Sequence, residues 1–179
     1  MRAVLCVART YYLTLLQQES VYYDSKTSFG GSKHMKLGSV NHIALTVSNL
    51  SHSEDFYNFF LDFMGYEQAE KTEQLILWAG HNGVLTISPS NPSSPNQYHD
   101  RYSPGLHHLA FSADSRSQVD ELYQKLLEQG VKILDAPAEY NYLPDYYAVF
   151  FLDPDDIKLE FVHIPNWPPE NIPSHVDCQ

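Results

Sequence analysis

The sequence predicts an α+β fold of two tandem βαβββ modules, and three observations carry that prediction. Asn41-His42-Ile43-Ala44-Leu45-Thr46-Val47 recurs 66 residues later as His107-His108-Leu109-Ala110-Phe111-Ser112-Ala113. Each copy alternates in character with period two, as a strand does. Each is followed by an apolar pattern of helical period closed by a glycine, Gly65 in the first half and Gly130 in the second. A segment repeated with its neighbours in the same order marks a duplicated architecture.

The first 36 residues carry no such pattern. The apolar run Ala3–Ala8 is broken at once by Arg9 and Thr10, and Leu13-Thr14-Leu15-Leu16 is too short for a signal core or a membrane span. Because Met35 stands just before the first patterned strand, residues 1–36 are expected to be a poorly ordered extension or the product of an upstream start. In that strand Ile43, Leu45 and Val47 share one face, leaving His42, Ala44 and Thr46 on a face suited to a cavity. After Ser51, Phe56, Phe59, Phe60 and Phe63 follow helical spacing, so the stripe packs a helix on the sheet. Leu75–Trp78 and Val84–Ile87 flank Asn82-Gly83, whose tolerance of positive φ suits a type I′ hairpin. These elements make a first module over about residues 37–88.

Residues 89–104 contain four prolines and read as a linker. The second module, about residues 105–164, repeats the order: Leu109, Phe111 and Ala113 against His108, Ala110 and Ser112 in the strand, then Val119, Leu122, Tyr123 and Leu126 along a helix begun after Ser115. Ala148–Leu152 then leads through Asp153-Pro154-Asp155-Asp156 into Ile157–Phe161. Residues 37–164 thus form a single domain, followed by a proline-rich tail over 165–179.

Composition narrows the partners. With 22 acidic and 11 basic residues the formal charge is −11, and no basic run offers a groove for nucleic acid or a patch for anionic membrane. Charged residues are 18% and aromatics 13%, a balance that favours a packed core over disorder. Cys6 and Cys178 lie at opposite ends, which argues against a disulfide framework or a thiolate metal site and for a reducing cytosol.

Strand parity then selects a candidate site. Ile157, Leu159 and Phe161 continue the helix-facing row, which puts Glu160 on the face that carries His42 and His108. Two imidazoles and one carboxylate at related places of a duplicated sheet form a set that leaves open positions on octahedral Fe(II) or Mn(II). His107 falls in register with Asn41, on the far face or its edge, and is expected to be structural. Aligning Gly83 with Asp156 places Ile87 at the counterpart of Glu160, so three protein ligands are expected rather than four.

These residues resemble the vicinal oxygen chelate superfamily, the glyoxalase / bleomycin resistance / extradiol dioxygenase group, over about residues 37–164. The resemblance rests on Asn41-His42-Ile43-Ala44-Leu45, His108-Leu109-Ala110-Phe111 and Asp153-Pro154-Asp155-Asp156-Ile157-Lys158-Leu159-Glu160. It implies a curled mixed-sheet cup holding a divalent ion (Fe, Mn, Ni or Zn) through His42, His108 and Glu160, where an oxygen-chelating small molecule is polarised. The implied activity is a metal-dependent enzyme of lyase or dioxygenase type; the alternative is a metal-free protein of the bleomycin-resistance type that sequesters a ligand. Such modules pair either within one chain or by exchange between the chains of a homodimer. Ile87 departs from the glyoxalase I pattern, which has a carboxylate there, and Ala44 departs from the fosfomycin-modifying thiol transferases, which have Thr. Asp156 replaces the usual turn glycine and must take positive φ. Extradiol dioxygenases add an acid/base Tyr, a role for which Tyr147, with Tyr146 beside it, is the candidate. Arg101 is a weaker candidate for an anionic substrate group and reads better as a solvated loop residue.

Overall fold

A computed structural model describes residues 40–81, 83–93, 99–165 and 167. The extension over 1–36, both cysteines, Asn82, part of the linker and nearly all of the tail lie outside these residues. Each module has the expected order. The first comprises β1 (His42–Val47), α1 (Leu50–Phe63), β2 (Glu67–Lys71), β3 (Ile76–Gly80) and β4 (Gly83–Pro89). The second comprises β5 (Leu109–Ser112), α2 (Arg116–Glu128), β6 (Ile133–Glu139), β7 (Tyr147–Leu152) and β8 (Lys158–His163). The strands form two four-stranded mixed sheets, ordered β1-β4-β3-β2 and β5-β8-β7-β6, in which β1 runs parallel to β4 and β5 parallel to β8.

Both helices are capped as short polar side chains dictate. Asn49 accepts from the His52 amide at 3.0 Å, so α1 starts one cap earlier than Ser51, and Ser115 accepts from the Gln118 amide at 3.3 Å. Gly65 and Gly130 end them at φ +76° and +68°, conformations that a Cβ disfavours. The amides after them, of Tyr66 and Val131, return to the carbonyls of Leu61 and Leu126 at 3.0 and 2.9 Å.

The aromatic stripe of α1 is turned from the expected one. Phe56, Tyr57, Phe60 and Leu61 are buried while Phe59 and Phe63 are half-buried, because α1 packs on both sheets rather than on its own alone. Phe60 meets Phe111 and Phe151 edge to face at 5.2 and 5.3 Å, and Phe63 meets Phe161 at 5.8 Å. Leu45, Val47, Trp78, Leu85 and Ile87 join the same core, as do Val119, Leu122 and Leu126 of α2. The helix-facing sides of the two sheets therefore share one interior, while the other face of β7–β8 carries a small core of its own, Ala148, Phe150 and Val162 under Tyr140, Tyr146 and Ile164.

Polar contacts tie the modules at the β7–β8 turn. The Tyr57 hydroxyl donates to Asp153 Oδ2 at 2.7 Å, while Asp153 Oδ1 accepts from the amides of Asp155 and Ile157 at 2.9 and 2.8 Å. Asp155 receives the Ser48 amide at 3.1 Å. Asp156 takes φ +62°, so the turn keeps its shape without glycine.

The register corrects one expectation. Ala44 pairs with Thr86, and its repeat counterpart Ala110 pairs with Glu160, so Thr86 and not Ile87 stands where Glu160 stands. Ile87 pairs with Leu45 and lies in the core. Gly83 is not the counterpart of Asp156: it opens β4 paired to Gly80, and Asp156 corresponds to position 82. A one-residue shift exchanges the faces of a strand, which is why Ile87, the expected counterpart, is a core residue.

Candidate metal centre

Glu160 sits in the middle of β8 with only 1% of its surface exposed. Its outward side chain is covered by the β6–β7 connection, and Phe150, its partner across the ladder, is buried beside it. The Tyr146 hydroxyl donates to Oε1 of this carboxylate. Oε2 lies 3.2 Å from Nε2 of His108, which immediately precedes β5. Burial of its ring pushes the His108 imidazole below its ordinary value; Lys158 and His107 act in the same direction and Glu160 against them. The shift favours the neutral ring, the form that donates a lone pair. Burial, and then the Glu160 carboxylate, raise the Tyr146 phenol well above its ordinary value, so it keeps its proton and serves as a donor.

Parity places each sequence candidate. Along β7 and β8 the even-numbered residues share the outer face, since Ala148 pairs with Val162 and Phe150 with Glu160. Tyr146 belongs to that row. Tyr147 does not: it donates to Asp120 of α2 at 2.7 Å with the Arg116 guanidinium over its ring, on the helix side of the sheet. Of the two tyrosines it is thus Tyr146 whose hydroxyl reaches Glu160, while that of the expected acid/base residue, Tyr147, points to Asp120. Parity counted back from Glu160 across the hairpin would have selected Tyr146.

His42 is exposed at the start of β1, on the outer face of the other sheet. The structure brings His108 and Glu160 together and leaves His42 apart; among the described residues no group of three His, Cys, Asp or Glu side chains could hold a metal ion. Arg101 donates to the Tyr102 hydroxyl at 2.9 Å and lies over that ring, a local loop contact. His107 is exposed, and its Nδ1 lies 2.7 Å from Nδ1 of His108.

A cavity of about 670 Å³ opens over His108 and Glu160, walled by Ser112, Tyr146, Val162 and Trp167. Its charged lining residues are acids, Asp114 and Glu160, with no Lys or Arg among the described residues that line it. A second cavity, of about 690 Å³, runs beside β1 and is flanked by His99, Asp100 and residues 103–106. It follows an open sheet edge, since β1 and β5 each pair on one side only among the described residues.

The donor pair fits a divalent ion. Ligands bound at about 2.1 Å and at right angles stand about 3 Å apart, close to the observed nitrogen–oxygen spacing. Imidazole and carboxylate are the ligands that borderline divalent metals take, and two from one chain leave room for more.

Comparison with known proteins agrees with this architecture. The sequence profile of the Glyoxalase/Bleomycin resistance protein/Dioxygenase superfamily matches residues 39–161. The Bacillus subtilis protein YqjT is 38% identical over 125 residues, covering 69% of this chain and 97% of its own length. Metallothiol transferase FosB of Staphylococcus saprophyticus is 30% identical over 122 residues, covering 68% of this chain and 74% of its own. The crystal structure of a candidate glyoxalase from Bacillus halodurans superimposes with a TM-score of 0.65 at 33% identity, over 72% of this chain and 97% of that one.

Proposed function

The chain belongs to the glyoxalase/bleomycin resistance protein/dioxygenase superfamily, and we propose that it is a metal-dependent enzyme of lyase or dioxygenase type whose site is assembled from two copies. In this reading His108 and Glu160 of one copy and His42 of a second copy hold a divalent ion. The observation that carries it is the placement of His108 Nε2 3.2 Å from Glu160 Oε2 on an outward face, with His42 on the other sheet's outward face. The open edges of β1 and β5, which bear the two histidines, give a second copy somewhere to join.

Bound there, the ion would act as a Lewis acid on an oxygen of the substrate and stabilise the charge that develops on it. The chain's own residues do the rest. Tyr146 occupies one carboxylate oxygen with its proton and so directs the other toward His108. Val162, Trp167 and the Tyr146 ring supply apolar walls that exclude water from a small molecule, while Ser112 offers a hydroxyl. The acidic lining selects against anionic substrates and suits an uncharged oxygen chelator. FosB is named as a metallothiol transferase, so thiol addition is a reaction class to assay beside proton transfer on ketoaldehyde adducts and catechol cleavage. The absence of basic residues from the described lining also suits the second reading, sequestration of a cationic ligand without metal.

Metal analysis separates the two. Protein purified without chelator is expected to carry close to one equivalent of Fe, Mn, Ni or Zn per chain, with loss in His42→Ala, His108→Ala and Glu160→Ala. A metal-free parent that gains no metal on addition of Zn(II) or Mn(II) overturns the enzyme reading.

A further inference from the structure

We propose that Asn41 and His107, the residues immediately before the two strand-borne histidines, are a duplicated pair of positioning residues that present Nε2 of His42 and His108 as lone-pair donors. Asn41 Oδ1 lies 2.9 Å from His42 Nδ1. A carbonyl oxygen only accepts, so His42 Nδ1 must carry the proton, and Nε2 is left with its lone pair. At the equivalent place in the second module His107 Nδ1 lies 2.7 Å from His108 Nδ1. There Nε2 faces Glu160 Oε2 at 3.2 Å. A carboxylate only accepts, so in the metal-free ring the proton sits on Nε2 and Nδ1 accepts from His107, and His107 is the group that would accept at Nδ1 once Nε2 gives up that proton to bind a metal. Two different side chains meeting the same ring atom, 66 residues apart in a duplicated chain, point to one shared role.

The physical gain is in orientation. A ligating histidine whose second nitrogen is hydrogen-bonded keeps its tautomer and ring angle, and loss of such a partner typically weakens metal binding about 10- to 100-fold. His107 is suited to accept when its own proton sits on Nε2, and its ring packs edge-on to His108 at 4.9 Å and to Tyr102 at 6.3 Å, which hold its plane. Both positions are exposed, so they contribute little to the core and are available to be changed without unfolding the chain.

This inference rests on the metal reading above, and its test keeps the two apart. The probe is Zn(II), titrated by competition with a chromophoric chelator, together with ¹⁵N spectra of the imidazoles in metal-free and zinc-loaded protein. Expected are Nδ1–H at His42 in the metal-free parent, its loss in Asn41→Leu, and a coupling across the hydrogen bond between the Nδ1 atoms of His107 and His108 in the zinc form. His107→Leu and Asn41→Leu should each weaken zinc about 10- to 100-fold, whereas His107→Asn, which gives the second module the first module's acceptor, should restore affinity close to the parent's. A parent that binds no zinc while His42 keeps Nδ1–H sinks the metal reading and upholds the tautomer assignment. His42 with its proton on Nε2 in the parent, or unchanged zinc affinity in both leucine variants, overturns the positioning roles.

Discussion

Tyr57→Phe removes one oxygen atom and tests how the two modules are joined. Tyr57 is fully buried in α1 and its hydroxyl donates to Asp153 Oδ2 across 96 residues of sequence. The two amides that Asp153 receives both go to Oδ1, so the variant leaves Oδ2 with no protein donor. A hydrogen bond to a buried charged group is worth about 1.5–3 kcal/mol, and the phenylalanine ring preserves the apolar contacts, so a loss of about 2 kcal/mol is expected. For a domain of this size that lowers Tm by about 6–10 °C. The loss should depend on pH. Burial holds the Asp153 carboxyl above its ordinary value of 3.8, while the tyrosine bond pulls it down. For an acid with a raised folded pKa, stability is greatest below the unfolded value and is lost as pH rises through the folded one. Removing the tyrosine bond raises the folded value further, so the gap between variant and parent should be small near pH 3.5 and should widen through the carboxylate range toward pH 7. Urea melts of both proteins across that range measure it. A Tyr57→Phe variant within about 0.5 kcal/mol of the parent at pH 7, or a gap that narrows as pH rises, would refute the buried charged bond and its sign.

Other changes probe the site and the register. Tyr146→Phe should weaken zinc binding about 10- to 100-fold by freeing the outer oxygen of Glu160, whereas Tyr147→Phe, which loses an exposed bond to Asp120, should leave it unchanged in the same chelator competition. Thr86→Glu places a carboxylate at the counterpart of Glu160 and should tighten zinc binding in a folded protein, while Ile87→Glu buries an unpaired charge and should cost about 3 kcal/mol or more, enough to abolish the cooperative melt. At Gly80 an added Cβ would lie 2.7 Å from the Tyr66 ring, so Gly80→Ala should lower stability by about 1–3 kcal/mol in denaturant titration.

The duplication was the most legible feature of this chain because a strand of alternating character and a helix of period near 3.6 leave signals that survive divergence. Both helix ends, the long strands and the face shared by His108 and Glu160 follow from it. β2 was illegible because Glu67–Lys71 is a polar edge strand with one neighbour, and β6 because Pro137 interrupts a strand that tolerates it only at the edge. The burial of Tyr57 and Leu61 could not be read from periodicity, since it arises from α1 touching a second sheet distant in sequence. Parity followed across the turn from β8 to β7 puts Tyr146, and not Tyr147, on the face of Glu160. The separation of His42 from its expected partners is a matter of how modules pair in space, and no residue pattern within one chain encodes it. Asn41 and His107 were in register from the start; their significance needed the positions of ring nitrogens.

Complementation between variants tests the shared site most directly. His42→Ala and Glu160→Ala chains are unfolded together in equal amounts, refolded, loaded with Zn(II) and desalted, and bound metal is counted per chain against each variant refolded alone. If each site draws His42 from one copy and His108 with Glu160 from the other, half the dimers are mixed and each holds one intact site, so roughly a quarter of the parent's metal should return. Metal that stays at the level of the separate variants would place all three ligands in one copy and contradict the account.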